Sequence, residues 1–145
     1  MFKNVLLANP TLAIKTSSSA LVKYSAFSYL ANGVFKTVAA ADAPALSGSV
    51  LATAYTRVAI LYITAWGTLA WDYSDDVANT ADLNIVKLAA QKRALRGTEW
   101  LLVGYVVIKN ATGSNFTPGT TALDTASLTV TYINAYGLTP QDETV

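Results

Sequence analysis

The strongest constraint on the fold is a hairpin pattern at residues 27–38, where two β-prone runs flank Asn32 and Gly33. Both residues tolerate the positive φ that a two-residue type I′ turn requires. A second hairpin pattern covers residues 57–73, whose later run places Leu69, Trp71 and Tyr73 on one face. This alternation is typical of a half-buried strand. The two patterns predict a chain built mainly from antiparallel strands.

Three further segments extend this prediction. Residues 58–63 are apolar on both faces, so they form either a central strand or a strand covered by a neighbouring subunit. Residues 100–109 predict a long buried strand with a bulge or close contact at Gly104. Residues 128–136 alternate again and predict a last strand. Residues 39–49 have neither alternation nor a helical cap, and they predict a loop.

One helix is expected among these strands. Thr80 is a suitable cap for a helix over residues 81–95, and Gly97 is a natural stop. Residues 138–145 contain Pro140 and are expected to fray. The predicted fold is therefore mainly β, a sandwich or jelly-roll-like single domain over residues 1–145 with one short inserted helix.

The composition indicates a surface that is partly covered by partners. Hydrophobic residues make up 52% of the chain and charged residues 13%, which is more apolar side chain and less charge than one soluble domain needs. Extended apolar surface usually marks an interface. We therefore expect the isolated protein to self-associate, with the two-faced run 58–63 contributing to the contact.

The charge and the missing residue types disfavour several function classes. The formal net charge is +1, so no overall basic footprint for nucleic acid is present. The chain has no Cys and no His, which removes the thiolate nucleophile and the commonest general base and metal ligand. The apolar runs are too short or too interrupted for a signal peptide or a bilayer-spanning helix. We expect a non-enzymatic protein without cofactor, metal, nucleic acid or membrane, assembled in a cytoplasm.

Two clusters of charged residues can be interpreted as ordinary surface structure without a specific function. Asp72, Asp75 and Asp76 lie close together but lack the spacing of a calcium loop, so a solvated turn is the favoured reading. The basic cluster is expected on the exposed face of the predicted helix, where positive charge suits the C-terminal end of the helix dipole. Its alternative role is contact with an acidic protein partner. The cluster consists of Lys87, Lys92, Arg93 and Arg96.

The best candidates for an interface lie in a turn and a loop. Trp66 is expected at an exposed turn tip between the strands of the second hairpin. Residues 110–122 form a polar loop that is longer than a connection requires. We expect this loop to be an ordered contact surface in which Phe116, flanked by Asn115 and Thr117, is buried in a neighbouring subunit.

Two segments resemble a recurrent pattern of tailed-bacteriophage structural proteins. The first is the Phe-x-Tyr-x-x-Asn-Gly hairpin that starts at Phe27, and the second covers residues 104–137. An alanine- and leucine-rich segment precedes a Val-Gly-Tyr strand in the same order. The chain departs from the pattern at residues 92–96, which are basic where small residues and proline are expected.

The resemblance implies a small virion protein of the head decoration, cement or head-fibre type. A cement protein would stabilise the head by bridging capsid subunits, with the major capsid protein or another virion protein as its partner. It would lie on the capsid surface after assembly in the host bacterial cytoplasm, as a homo-oligomer for which a trimer is favoured. The alternative is a receptor- or glycan-binding module of a head or tail fibre, in which Trp66 and other exposed aromatic rings stack on sugars.

Overall fold

The computed structural model describes residues 5–31, 33–64, 67–81 and 101–136. These residues form eleven strands in three antiparallel sheets and contain no helix, so the predicted mainly β fold is confirmed. None of the described segments includes a helix that could cross a membrane. The strands are β1 Val5–Leu6, β2 Ala13–Ile14, β3 Val22–Tyr24, β4 Phe27–Ala31, β5 Val34–Val38, β6 Ala41–Asp42, β7 Tyr55–Ile63, β8 Leu69–Tyr73, β9 Val77–Ala78, β10 Leu101–Asn110 and β11 Leu128–Asn134.

The main sheet has the order β11-β10-β7-β8, and β9 pairs with the first residues of β7. β7 is central, between β8 on one side and β10 on the other. Residues 58–63 are buried throughout, because β8 and β10 pair with both edges of β7 and its side chains pack in the hydrophobic core of the same chain. Of the two readings left open by the sequence, the central strand is therefore correct, and this run offers no surface for self-association.

Two smaller sheets complete the sandwich. The hairpin sheet has the order β1-β4-β5, and the small sheet has the order β2-β3-β6. Tyr24 and Phe27 meet edge to face between these two sheets, with ring centroids 5.8 Å apart, a favourable arrangement for aromatic rings. Buried residues from all three sheets form one hydrophobic cluster, so the sheets share a core.

Several local predictions are confirmed. Ala31 and Val34 are partners on either side of the Asn-Gly turn, and Gly33 has a φ of 79°. The second hairpin is the β7–β8 pair, and the last strand is β11. The register of β10 against β7 shifts between Leu102 and Gly104, which is the bulge expected at that glycine.

Some of the predicted elements differ from the structure, and others fall on residues that the structure does not describe. Residues 39–49 are not all loop, because β6 pairs with β3 there. The short strands β1, β2, β3 and β9 were not predicted at all. Apart from Ala81, the predicted helix at residues 81–95 falls outside the described residues, as does the tail at 138–145.

Candidate interaction surface

β5 is a highly exposed strand of the described part of the chain. It forms one edge of the hairpin sheet, and four of its five residues are exposed. Val34 and Phe35 point to opposite faces, as neighbours in a strand do, yet they are 55% and 62% exposed. Solvent therefore reaches this strand from both faces as well as from its edge.

The outward face of the hairpin sheet carries a row of apolar side chains across all three strands. The inward face is set by Leu6, Phe27 and Tyr29, which are buried. Leu30 lies opposite both Val5 and Phe35, so these three side chains share the other face. Leu7 lies two residues beyond Val5, and its N–H donates to the Ser28 carbonyl O at 2.9 Å. We call the surface of Val5, Leu7, Leu30 and Phe35 the apolar face.

The exposed side chains of the apolar face adjoin one another. Val5 is 39% exposed, Leu7 38% and Phe35 62%. With the half-buried Leu30, these side chains lie next to one another on one face of the sheet. Because these exposed apolar side chains adjoin one another and are not scattered singly, they form a candidate contact site.

The loop at residues 110–122 is held tightly to its own chain. Phe116 and Leu51 form an isolated antiparallel bridge, in which each N–H donates to the other carbonyl O at 2.9 Å. The turn after Phe116 is closed by a further hydrogen bond, in which the Thr117 N–H donates to Thr121 Oγ1 at 3.0 Å. The contacts that hold the loop are therefore made within its own chain.

Phe116 does not face a neighbour. Its side chain is only 1% exposed and belongs to the core of its own subunit. The prediction that this ring is offered to a partner is therefore wrong. The physical reason is that a lone large apolar side chain in a polar loop gains most by filling the protein's own core. Asn115 and Thr117, on either side, are exposed and remain available for contact.

Asn110 anchors the start of this loop. Its side chain is fully buried, and Nδ2 donates to the carbonyl oxygens of Leu51 at 3.3 Å and Ser114 at 3.1 Å. Its own carbonyl O accepts from Asn79 Nδ2 at 3.0 Å and from the Ala54 N–H at 2.8 Å. One asparagine therefore joins three segments at the end of the main sheet.

The aromatic residues of β8 are engaged with their own chain. Trp71 Nε1 donates to the Pro44 carbonyl O at 2.6 Å, and Tyr73 Oη accepts from the Ser47 N–H at 2.8 Å. Both contacts attach the segment after β6 to the main sheet. These two rings are thus used to hold a loop, which leaves less aromatic surface for stacking on sugars.

The acidic cluster contains an ion pair instead of a simple solvated turn. Asp76 binds the buried guanidinium of Arg57, with Nε donating to Oδ1 at 2.6 Å and Nη2 to Oδ2 at 2.9 Å. Asp75 is exposed. Within the described parts of the chain, no group of three or more Asp, Glu, His or Cys side chains could hold a metal ion.

The remaining candidates of the sequence analysis cannot be placed. Trp66, Lys92, Arg93 and Arg96 all lie outside the described residues. The apolar face itself was missed by sequence reasoning. The available signal was in the first hairpin, whose second strand carries Val34, Phe35 and Val38, so that apolar side chains occupy both of its faces.

Comparisons of the chain with protein-family models, with curated proteins and with solved structures found no match.

Proposed function

We propose that this chain is a non-enzymatic structural protein of a bacteriophage particle, and specifically a capsid decoration protein. In this role it stabilises the head by bridging capsid subunits, with the major capsid protein or another virion protein as its partner. The place of action is the capsid surface, and assembly takes place in the cytoplasm of the host bacterium. The resemblance of residues 27–36 and 104–137 to phage structural proteins supports the class of protein.

The observation that carries the proposal is the apolar face of the hairpin sheet. Val5 and Phe35 project from short strands that are fixed by backbone pairing, and the Leu7 N–H is bonded to the Ser28 carbonyl O, so the surface is ordered before it meets a partner. An ordered surface loses little conformational entropy on binding. Adhesion of this kind needs no reaction chemistry, and it becomes strong on a shell because many copies act together.

The polar rim of such a contact can come from the loop at residues 110–122. Asn115 and Thr117 are exposed, and the bridge between Phe116 and Leu51 fixes the backbone between them. Hydrogen-bonding groups around an apolar centre are the usual arrangement of a protein interface. We therefore assign the apolar face the main share of the binding energy and this loop a role in orientation.

Binding to head shells tests the proposal. Shells lacking the protein are prepared from the phage that encodes it, and purified protein is added back while occupancy is measured by sedimentation and cryo-electron microscopy. The wild type should bind saturably. Phe35→Ser should raise the Kd at least about tenfold, because the exposed part of a phenylalanine contributes about 2–3 kcal/mol when buried. Leu7→Ser should weaken binding in the same direction.

A matched control and a competing outcome sharpen the experiment. Val50 is 47% exposed but belongs to the segment before β7, so Val50→Ser should bind shells like the wild type. Equal occupancy for all three variants would remove the apolar face from the contact. Saturable binding to glycans without any binding to shells would replace the proposal with a receptor-binding fibre module.

A further inference from the structure

The open edge of β5 has backbone groups that point away from its own sheet. Ala31 and Val34 flank a two-residue turn and are partners, so they exchange both of their backbone hydrogen bonds. Bonding alternates along an antiparallel pair, and Lys36 and Val38 therefore also bond to β4. The N–H and C=O groups of Phe35 and Thr37 point to the edge, where no described strand pairs with them.

We propose that β5 is a self-pairing edge, at which two copies of this chain join β5 to β5 in antiparallel orientation about a twofold axis at Thr37. The two hairpin sheets then form one six-stranded sheet in the order β1-β4-β5-β5-β4-β1. In this arrangement the Thr37 N–H of each copy donates to the Thr37 carbonyl O of the other. Pairing of exposed strand edges is a general route of protein association.

The charge on β5 and the turn before it each disfavour one of the possible registers. A twofold axis through Lys36 would place two ammonium groups directly opposite each other, which is unfavourable. An axis through Phe35 would bring Gly33 opposite Thr37, but Gly33 is a turn residue with a φ of 79°. An axis through Thr37 pairs two threonines, a favourable cross-strand pair, and places Lys36 opposite Val38. This register leaves no like charges in direct contact.

A second copy is the occupant that the charge and the surface favour. The net charge is +1, so two copies hardly repel each other. β5 contains no proline and one charge, Lys36, of the kind that usually protects a strand edge against self-pairing. The Thr37 register keeps the two Lys36 side chains from lying directly opposite each other. Pairing through one edge strand of five residues buries much less than the about 800 Å² per partner of a standard interface. We therefore expect a weak dimer with a Kd in the micromolar range or above.

This inference does not rest on the proposed function, although it would strengthen it. Edge pairing leaves the apolar face uncovered and places two such faces side by side. It differs from the trimer that the resemblance implies, because a twofold contact between identical edges closes with two copies. A protein that stays monomeric yet binds shells would overturn the self-pairing and leave the proposed function in place.

Sedimentation equilibrium from micromolar to millimolar concentrations is the first test. The wild type should show a reversible monomer–dimer equilibrium. Thr37→Pro removes an N–H that points away from β4, a position where edge strands tolerate proline, and it should raise the dimer Kd about tenfold or more by deleting the two central hydrogen bonds. Thr37→Val keeps the backbone donor and should dimerise nearly like the wild type.

Charge exchange at residue 37 tests the register itself. Thr37→Glu and Thr37→Lys should each raise the dimer Kd about fivefold or more at low salt, because like charges then face each other across the axis. An equimolar mixture of the two variants should recover the wild-type affinity as a heterodimer. Circular dichroism of each variant checks that the fold is intact.

Four results would overturn the proposal. The first two concern the wild type, which would either remain monomeric throughout the concentration range or form trimers. The third is a Thr37→Pro variant that dimerises like the wild type. The fourth is a mixture of the charged variants that fails to associate.

Discussion

Arg57 on β7 carries a buried guanidinium group. Each of its three nitrogens donates a hydrogen bond to an oxygen of Asp76 or Ser49. Asp76 accepts from Nε and Nη2, and the Ser49 carbonyl O accepts from Nη1 at 2.6 Å. The Arg57 side chain is 5% exposed, so the charge is held largely out of water. By contrast, the Lys15–Asp42 pair is exposed on both sides and contributes at most about 1 kcal/mol.

The first prediction concerns the carboxylate of this buried pair. Asp76→Asn leaves the guanidinium buried beside a neutral partner, which costs several kcal/mol when the pair is fully buried. Because Asp76 itself is one-third exposed, we expect the free energy of unfolding to fall by about 2–3 kcal/mol. Urea denaturation measures this change. Asp75→Asn is the matched control and should stay within about 0.5 kcal/mol of the wild type.

The second prediction concerns Phe116. Truncation to alanine removes a ring from a fully packed position and leaves a cavity, so Phe116→Ala should lower the free energy of unfolding by about 3–5 kcal/mol. Its exposed neighbour supplies the control, and Asn115→Ala should change stability by less than about 0.5 kcal/mol. Thermal and urea unfolding of both variants check this. An unchanged melting temperature for Phe116→Ala would show that the ring does not stabilise its own chain, and Phe116 would again be a candidate for contact with a partner.

Gly104 shows how a single residue shapes an element. A Cβ at this position would lie 2.6 Å from the Ile133 carbonyl O and 2.6 Å from Leu12 Cδ1. The carbonyl belongs to the neighbouring strand β11 and cannot move without disturbing the ladder. The missing side chain therefore lets β11 and the N-terminal segment approach β10 closely at its bulge.

The third prediction follows from this crowding. Gly104→Ala should destabilise the protein by about 1–3 kcal/mol, as overpacking of a core does. Adding Leu12→Ala relieves one of the two contacts, so the second substitution should cost less in the Gly104→Ala protein than in the wild type. Urea unfolding of the two single variants and the double variant gives this coupling energy. Strict additivity would show that Leu12 does not oppose the new methyl group.

The elements with local sequence signals were predictable, and those formed by distant partners were not. The hairpin at β4 and β5 could be predicted because Asn32 and Gly33 specify its turn. β1 and β9 have only two residues each, too few to show any alternation. They form because the distant strands β4 and β7 each present an edge for pairing. The local sequence of β1 and β9 does not show that such a partner is available.

The candidate surface was harder to predict than the fold for a similar reason. Phe116 is an apolar residue among polar ones, and the sequence alone does not show whether such a side chain turns inward or outward. Its burial depends on Leu51, a residue 65 positions earlier that pairs with it. The exposure of Phe35 likewise depends on β5 being an edge strand, a property of the sheet order and not of local sequence.

At the scale of the whole molecule, three tyrosines link stability to alkaline pH. Burial raises the pKa values of Tyr24, Tyr29 and Tyr132 above the ordinary value of 10.0. The negative charges of Asp42 and Asp124 add to the rise in the pKa of Tyr24 and Tyr132, respectively. The folded protein therefore keeps these phenols protonated at a pH where the unfolded chain begins to release their protons.

The fourth prediction is the resulting pH dependence. For a group whose pKa is raised by folding, the stabilising contribution is complete below the unfolded pKa and is lost as pH rises through the folded pKa. The free energy of unfolding should therefore decline above about pH 10. Urea titrations across the alkaline range measure this decline. Tyr132→Phe and Tyr29→Phe should each make it shallower, and an unchanged slope in both would contradict the assignment.

The order of the main sheet also affects how the chain must be made. β7 meets β8 after a short connection, but its other neighbour, β10, begins only at residue 101. During synthesis, this largely apolar strand therefore leaves the ribosome with one edge unpaired until β10 follows it. Such a nascent edge is prone to aggregate. Fragments that end before β10 should consequently be insoluble, and rapid translation of residues 64–100 would favour a high yield of folded protein.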